Sequence, residues 1–238
     1  MHQVPPHLKI LSFFAFLVVC VATPIENFWA FIGFAVIIFT LLALSRLPVL
    51  TVVKRATIEF PFLVFAILMP FFSEGETFTF LNLEISKSGT IAALSIITKG
   101  TLGVLTAILL SGSTQAREIL RGFELLHMPT LLVQIMTFML RYMNVITDEV
   151  DRMKVARLSR GFVERGIRDW KFIASTAGAL FVRSYERGER VHTSMISRGY
   201  SGELPKSELP LTTRGQKIAM ACIPASALFI SLLTGALL

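Results

Sequence analysis

The chain has 238 residues, of which 53% are hydrophobic, and a mean hydropathy of +0.67. An ordinary water-soluble domain is excluded, since its apolar share would be about 45–50%, and an integral membrane protein is indicated. The net charge of +7 is unevenly distributed, because 6 of the 23 Lys and Arg residues precede residue 112 and the remaining 17 follow it. Cys20 and Cys222 lie far apart in apolar segments, which argues against a disulfide framework or a thiolate metal site.

Five apolar stretches approach the length of about 20 residues that a helix needs to cross a bilayer. In chain order they cover residues 8–23, 25–44, 58–72, 90–111 and 218–238. Pro24 predicts a tight connection between the first two, and the third contains Pro61 and Pro70, which membrane helices tolerate. We therefore predict an all-α integral membrane protein with about five transmembrane helices, four of them within residues 1–111.

The charges of the connections predict the orientation, because short cytoplasmic loops retain Lys and Arg. The loop with Arg46, Lys54 and Arg55 is basic, whereas residues 73–89 carry three Glu and one Lys. The segment after Ser111 is strongly basic again. We expect a multi-pass protein with a cytoplasmic N-terminus, an external C-terminus and a cytoplasmic insertion before the last span.

The insertion, residues 112–217, has a helical pattern but is less hydrophobic than the spans. Its first predicted helix begins near Thr114, interpreted as an N-cap, and ends before Pro129. The second covers 130–160, with apolar residues at alternating spacings of four and three, and the third covers 170–198. These three helices form a predicted cytoplasmic coupling module.

The second and third helices of this module end in the same pattern of residues, aliphatic-Ser-Arg-Gly-aromatic. One copy is Leu158-Ser159-Arg160-Gly161-Phe162 and the other is Ile196-Ser197-Arg198-Gly199-Tyr200. Each copy is typical of a helix C-cap, since glycine adopts the left-handed conformation and arginine complements the free carbonyl groups. Two copies on one basic module also present two guanidinium groups, which suit paired carboxylates, and two aromatic anchors. We infer a partner present in two copies.

Several strings in the module resemble the transmembrane T component of energy-coupling-factor transporters. They run from Arg141-Tyr142 to Arg152-Met153, from Ala156 to Phe162, and from Arg183 through Arg187 to Tyr200. The stretch from Tyr185 to Arg190 is most similar to the cobalt/nickel type, CbiQ. The resemblance covers about residues 114–205 and departs at Ser159 and Ser197, where the family commonly has alanine.

This resemblance implies a non-catalytic subunit in a bacterial or archaeal cell (inner) membrane. The two tripeptides, Ser159-Arg160-Gly161 and Ser197-Arg198-Gly199, would dock on two ABC-type ATPases, with Phe162 and Tyr200 in support. The long helices would hold a CbiM-like substrate-binding membrane subunit (S component), and a small accessory membrane subunit also fits. The cargo would be cobalt, or alternatively nickel or a vitamin.

No cofactor is expected in this chain, because it has no G-x-x-x-x-G-K-[ST] loop and ATP would be bound by the partners. The histidines are scattered without ligand spacing, so no metal site and no catalytic residue are assigned. Acidic residues are interspersed among the basic ones in 112–217, which argues against a nucleic-acid partner.

Lys99 lies near the middle of the fourth span, where a charge is costly. It is either a functional intramembrane charge or a structural residue bonded to backbone carbonyls or to a hydroxyl such as that of Thr98 or Thr101. The functional alternative would suit a stand-alone secondary transporter, which the absence of inverted repeats and paired intramembrane charges disfavours.

Overall fold

The protein is seen here in a computed structural model that describes residues 4–45, 47–73, 77–80, 83–161, 170–202 and 213–235. In chain order the elements are α1 (Pro6–Ala22), α2 (Phe28–Ser45), α3 (Val49–Ala56), a 3-10 turn (Thr57–Glu59), α4 (Phe60–Phe72), β1 (Thr77–Phe80), β2 (Leu83–Ser86), α5 (Lys87–Ser113), α6 (Ala116–Leu125), α7 (Thr130–Leu158), α8 (Trp170–Ile196) and α9 (Arg214–Gly235). The prediction of an all-α membrane protein is confirmed. Only the β1–β2 hairpin, paired antiparallel, interrupts the helices among these residues.

Within the described ranges, four helices are long and apolar enough to cross a membrane: α2, α5, α7 and α9. The apolar helix α1 is shorter, with 17 residues, and α4 has 13, fewer than the roughly 20 that span a bilayer alone. The set of candidate spans therefore differs from the predicted one, since α7 qualifies although the sequence placed it in the cytoplasmic module. The predicted spans and the candidate spans of the structure nevertheless both indicate a multi-pass membrane protein.

The chain divides into two compact units. The first contains residues 1–126 and 210–238, and the second contains residues 127–209. The predicted module, 112–217, is thus divided between them, because its first helix, α6, packs on α1 within the first unit. The second unit contains the pair α7 and α8.

The core of the first unit is formed by α1, α2, α5 and α9. Phe16 and Phe31 each meet the ring of Phe34 edge to face, with centroids 5.8 and 5.7 Å away. All three residues are buried, Phe16 and Phe34 completely. Such edge-to-face pairs stabilise a core beyond their buried area, so this aromatic cluster fixes the contact of α1 with α2.

A proline accounts for one polar contact of this core. Pro224 lies inside α9 and has no N–H, so the carbonyl of Met220, four residues earlier, lacks its usual helical donor. The buried hydroxyl of Ser12, on α1, donates a hydrogen bond to this carbonyl. The bond satisfies the orphaned group and holds α1 against α9.

In the first unit α1 is antiparallel to α5, since Lys9 meets Ser113 and Lys99 meets Val21. It is parallel to α9, since Ser12 meets Met220 and Thr23 meets Ser231. Lys9 contacts the end of α5, and Arg55 donates to the Ser111 hydroxyl at 3.4 Å. The start of α1, the end of α3 and the end of α5 therefore share one side of the unit. The loop charges predicted that these three segments share one side, and the assignment of that side to the cytoplasm stays a prediction.

One predicted helix cap is wrong. The residue before α6 that caps it is Gln115, without a side-chain bond, and the Thr114 hydroxyl accepts a hydrogen bond from the Lys9 ammonium at 3.2 Å instead. Thr114 is buried, 6% exposed, and serves the contact between α1 and the end of α5. The Thr114 hydroxyl, which the local pattern assigned to the helix cap, therefore binds Lys9, a residue far away in the chain.

Candidate functional site

The two repeated tripeptides follow α7 and α8 and have the same backbone geometry. Gly161 has φ +77° and Gly199 has φ +85°, both in the left-handed region that glycine adopts without a steric penalty. The N–H of Gly161 donates to Leu158 at 3.0 Å, and that of Gly199 donates to Ile196 at 2.9 Å. Both helices are therefore ended by the glycine that the sequence pattern indicated.

The serines of the tripeptides are also equivalent. The Ser159 hydroxyl donates to the carbonyl of Val155 and the Ser197 hydroxyl to that of Thr193, each at 3.0 Å. Each bond runs back to the residue four positions earlier, within the last helical turn. The serines thus rigidify the helix ends, and we call the two ends, residues 159–161 and 197–199, the tips.

The tip arginines, Arg160 and Arg198, are exposed. Within the described part of the chain, neither guanidinium has a hydrogen bond or an ion pair. Beside them lie two aliphatic side chains with large exposed fractions, Leu158 at 49% and Ile196 at 55%. Each tip therefore offers a free bidentate donor next to an apolar surface, the combination that an acidic groove with an apolar floor accepts.

Of the aromatic residues that follow the two tips, the structure describes only Tyr200. Phe162 lies outside the described residues. Tyr200 is half-buried, its N–H donates to Met195 at 3.0 Å, and its hydroxyl donates to the Gln134 side chain at 3.0 Å and lies 3.1 Å from the Gly202 carbonyl. Tyr200, predicted as a docking anchor, is therefore occupied within the second unit, where it ties the α8 tip to the start of α7.

Three contacts show that α7 and α8 are antiparallel. Near the end of α7, Arg157 donates to the Thr176 hydroxyl at 2.9 Å. Farther back, Glu149 accepts from Arg183, and at the start of α7 Gln134 meets Tyr200. Residue numbers thus fall along α7 as they rise along α8, so the two tips lie at opposite ends of the helix pair.

The separation of the tips follows from helix geometry. The α8 tip is level with Gln134, and the α7 tip begins at Ser159. With about 1.5 Å of rise per residue, the intervening stretch of α7 places the tips roughly 35–40 Å apart. At this distance a single groove on a partner does not contact both tips.

An ion network in the middle of the pair was not anticipated from the sequence. Glu149 accepts a hydrogen bond from Arg152 at 2.8 Å and another from Arg183 on the opposite helix. The three-residue spacing of Glu149 and Arg152 signals a helix-surface pair, but the register that adds Arg183 is a tertiary property. This network joins α7 to α8 between the tips.

The structure places the ammonium of Lys99 2.8 Å from the carbonyl of Val21, at the end of α1. The hydroxyl of Thr101, one of the alternative partners, lies instead 2.9 Å from the Glu59 carboxylate and 2.7 Å from the Ile97 carbonyl. Of the two alternatives for Lys99, a functional charge or a structural residue, the second predicts such a bond to a backbone carbonyl.

Two buried charged residues of the first unit were missed. Lys9 is 0% exposed and donates to the Ser113 carbonyl and the Thr114 hydroxyl, both at 3.2 Å. Glu59 is 6% exposed and accepts from Thr101. Their signal in the sequence is a single charge at the edge of an apolar run, which also suits a residue that reaches water at the membrane surface.

A metal-binding cluster is not found among the described residues, where no three His, Cys, Asp or Glu side chains lie close enough to hold an ion.

Comparison with known proteins adds the family context. The cobalt transport protein family CbiQ matches residues 1–209. The energy-coupling factor transporter transmembrane protein EcfT of Thermanaerovibrio acidaminovorans is 27% identical, over 87% of this chain and 81% of its own length. An uncharacterized protein of Methanocaldococcus jannaschii is 29% identical, over 86% of this chain and 72% of its own. A putative fused cobalt transport protein, CbiMQ, of Methanocorpusculum labreanum is 26% identical, over 100% of this chain and 40% of its own.

Proposed function

Because the chain belongs to the CbiQ family of cobalt transport proteins, we propose that it is the membrane subunit that couples ATP hydrolysis to import in an energy-coupling-factor transporter. In this role it performs no chemistry. ATP is hydrolysed by two ABC-type ATPases, and the cargo, cobalt, is bound by a separate CbiM-like membrane subunit. The fused CbiMQ protein of M. labreanum supports this arrangement, since its name joins the two components in one chain.

The observation that carries the proposal is the equivalence of the two tips. Arg160 and Arg198 are both exposed, both are followed by a left-handed glycine that closes the turn, and both lack a partner within the described residues. A structural cap alone does not require two copies of the whole string at opposite ends of one helix pair. Two identical ATPase grooves would require them.

The mechanism follows from the stiffness of the helices between the tips. ATP favours the closed arrangement of the two ATPases, and the tips bound to them are displaced with them. Since α7 and α8 are joined by the Arg157–Thr176 and Glu149–Arg183 contacts, the displacement is passed along the pair instead of being lost in separate motions of the helices. The pair then moves the substrate-binding subunit that it carries.

The apolar surface of the helix pair supports a membrane partner. Large apolar side chains point outward along both helices, for example Leu131, 65% exposed, on α7 and Phe181, 71% exposed, on α8. A patch of this kind marks a surface that a partner or lipid covers. The substrate-binding subunit is the partner that we assign to it.

Reversing both tip charges tests the docking. In the complex purified through a tag on this chain, Arg160→Glu with Arg198→Glu is expected to abolish retention of the ATPases, because a carboxylate would face the acidic groove at each tip. Each single variant should retain one site and lose less ATPase. Quantitative mass spectrometry of the purified complex measures the ratio of ATPase to this chain.

Arg190→Glu is the matched control, because Arg190 is an exposed arginine of α8 that lies about two helical turns before the tip. It should retain the ATPases at the wild-type ratio. If the double variant does so too, the docking assignment is wrong. Cobalt uptake by whole cells that express the complete complex tests the cargo separately, with nickel and vitamin uptake as the competing outcomes.

A further inference from the structure

The helices α7 and α8 enclose a groove of about 380 Å³ within the second unit. Its two ends differ in character. One end is lined by the apolar side chains of Phe138, Met139, Val191 and Met195. The other end, farther along α7 and nearer the start of α8, contains the charged network of Glu149 and Arg183, and beside it Arg187.

Arg187 is the residue of this groove that lacks a counterion. Its neighbour one turn earlier, Arg183, is bound to Glu149, whereas Arg187 has no hydrogen-bond or ion-pair partner in the described ranges. Arg187 is half-buried and lines a mostly apolar groove, so water screens its charge less than that of an exposed side chain. A guanidinium in this setting favours a phosphate or carboxylate, which it binds through two parallel hydrogen bonds.

The dimensions of the groove suit one acyl chain beside that anion. From Arg187 to Met195 the helix rises about 12 Å at 1.5 Å per residue, and the groove continues to Tyr200. One leaflet of a bilayer supplies about 15 Å of hydrocarbon, half of the roughly 30 Å core. The apolar length of the groove is thus close to that of a lipid tail.

The helix that forms one wall of the groove is also compatible with lipid. α7 meets the length and hydropathy of a membrane span, and its apolar side chains Leu132 and Ile135 are 44% and 47% exposed. The exposed apolar side chains of α7 are therefore suited to contact with lipid.

We propose that the groove between α7 and α8 binds one anionic phospholipid, with its phosphate on Arg187 and an acyl chain between Phe138 and Met195. The lipid supplies the counterion that Arg187 lacks and covers apolar side chains that the helix pair leaves open. The anion site at Arg187 lies about 15 Å along α8 from its tip, so it is occupied whether or not the ATPases are bound.

The test uses the complete chain, purified from nanodiscs that contain phosphatidylglycerol and phosphatidylcholine in equal amounts. Native mass spectrometry then measures the phosphatidylglycerol that remains bound. Arg187→Gln is expected to weaken retention about tenfold or more, because it removes charge-assisted hydrogen bonds to the phosphate. Arg190→Gln, three residues later on the same helix and outside the groove, should retain the lipid as wild type does.

A second variant protects the test against a folding artefact. Met139→Glu places a carboxylate at the apolar end of the groove, at a position 58% exposed and thus tolerant of a polar side chain. It should lower lipid retention while the helical circular dichroism is unchanged.

The proposal is overturned if Arg187→Gln and Arg190→Gln lose the lipid equally, since the attraction would then be that of the general surface charge. Equal retention of phosphatidylcholine by the wild type would also overturn it. If Arg187→Gln keeps the lipid but loses a partner subunit from the purified complex, the groove binds an acidic protein segment and the lipid assignment is wrong.

Discussion

The two units of the chain differ in how far their apolar side chains are buried. The first unit buries an aromatic and aliphatic core shared by four helices, with Phe13, Phe16 and Phe34 at 0–1% exposure. In the second unit Val133 is the only buried residue among those that the structure describes. The first unit is therefore held by its own contacts, whereas the second presents surfaces that other molecules complete.

The polar groups of the two units also differ in whether they find partners within their own unit. The buried polar groups of the first unit, such as those of Lys9, Ser12 and Thr23, have partners on neighbouring helices. In the second unit the exposed tip arginines have none among the described residues. Substitutions should accordingly reduce stability in the first unit and binding in the second, and the three predictions below test this difference.

The largest effect is expected from truncation of the aromatic core. Phe34→Ala should lower the free energy of unfolding by roughly 2–3 kcal/mol, less than in a water-soluble core because lipid already solvates apolar groups. Phe181→Ala, at a position 71% exposed in the second unit, should change it by less than about 0.5 kcal/mol. Reversible unfolding of the chain in mixed micelles measures both, and equal losses would contradict the contrast between the units.

The hydrogen bond between α1 and α9 should have an intermediate effect. Ser12→Ala leaves the Met220 carbonyl without a donor, since Pro224 cannot supply one, and should cost about 1–3 kcal/mol. Adding Pro224→Ala restores a backbone N–H and should recover part of the loss.

Ser226→Ala is the control for this pair, because the exposed Ser226 hydroxyl bonds within its own helix, at the Ile223 carbonyl, and to no other described residue. It should leave the unfolding curve unchanged. A loss for Ser12→Ala that is the same with and without Pro224→Ala would show that the proline does not create the need for this bond.

The smallest effect is expected from the backbone of a tip. Gly161→Ala introduces a side chain at φ +77°, a strain of about 1–2 kcal/mol that a change of the tip relieves. We expect weaker ATPase retention by roughly fivefold to tenfold, with little effect on unfolding. Gly161→Asn should retain docking better, because asparagine tolerates this conformation.

Gly178→Ala is the matched control for the tip, since Gly178 lies within α8 with open space around it. It should leave docking unchanged and slightly favour the helix. Equal docking by Gly161→Ala and wild type would mean that the orientation of Arg160 does not matter.

Much of the fold could be predicted from the sequence, because local residue patterns indicate where the helices begin and end. The second and third helices of the module were predicted as 130–160 and 170–198 and end at Leu158 and Ile196, each followed by its tip. The glycines at 161 and 199 have the predicted left-handed conformation, since a C-cap is encoded by a few adjacent residues.

What the sequence did not reveal depends on contacts between distant residues. Three hydrogen bonds depend on the register of two helices: Lys9 with Thr114, Arg183 with Glu149, and Tyr200 with Gln134. The amphipathic helix α3 was also missed, because its eight residues are too few for a periodic pattern to stand out. Local rules therefore gave the helix ends, whereas the pairing of helices came only from the structure.

The burial of Lys9 also constrains the order in which the chain is assembled during synthesis. Its two hydrogen-bond partners, Ser113 and Thr114, come 104 and 105 residues later in the chain. At about 5–20 residues per second, they leave the ribosome roughly 5–20 s after the lysine does. Until then the ammonium must stay hydrated at the membrane surface, so α1 reaches its final position only after α5 has been inserted.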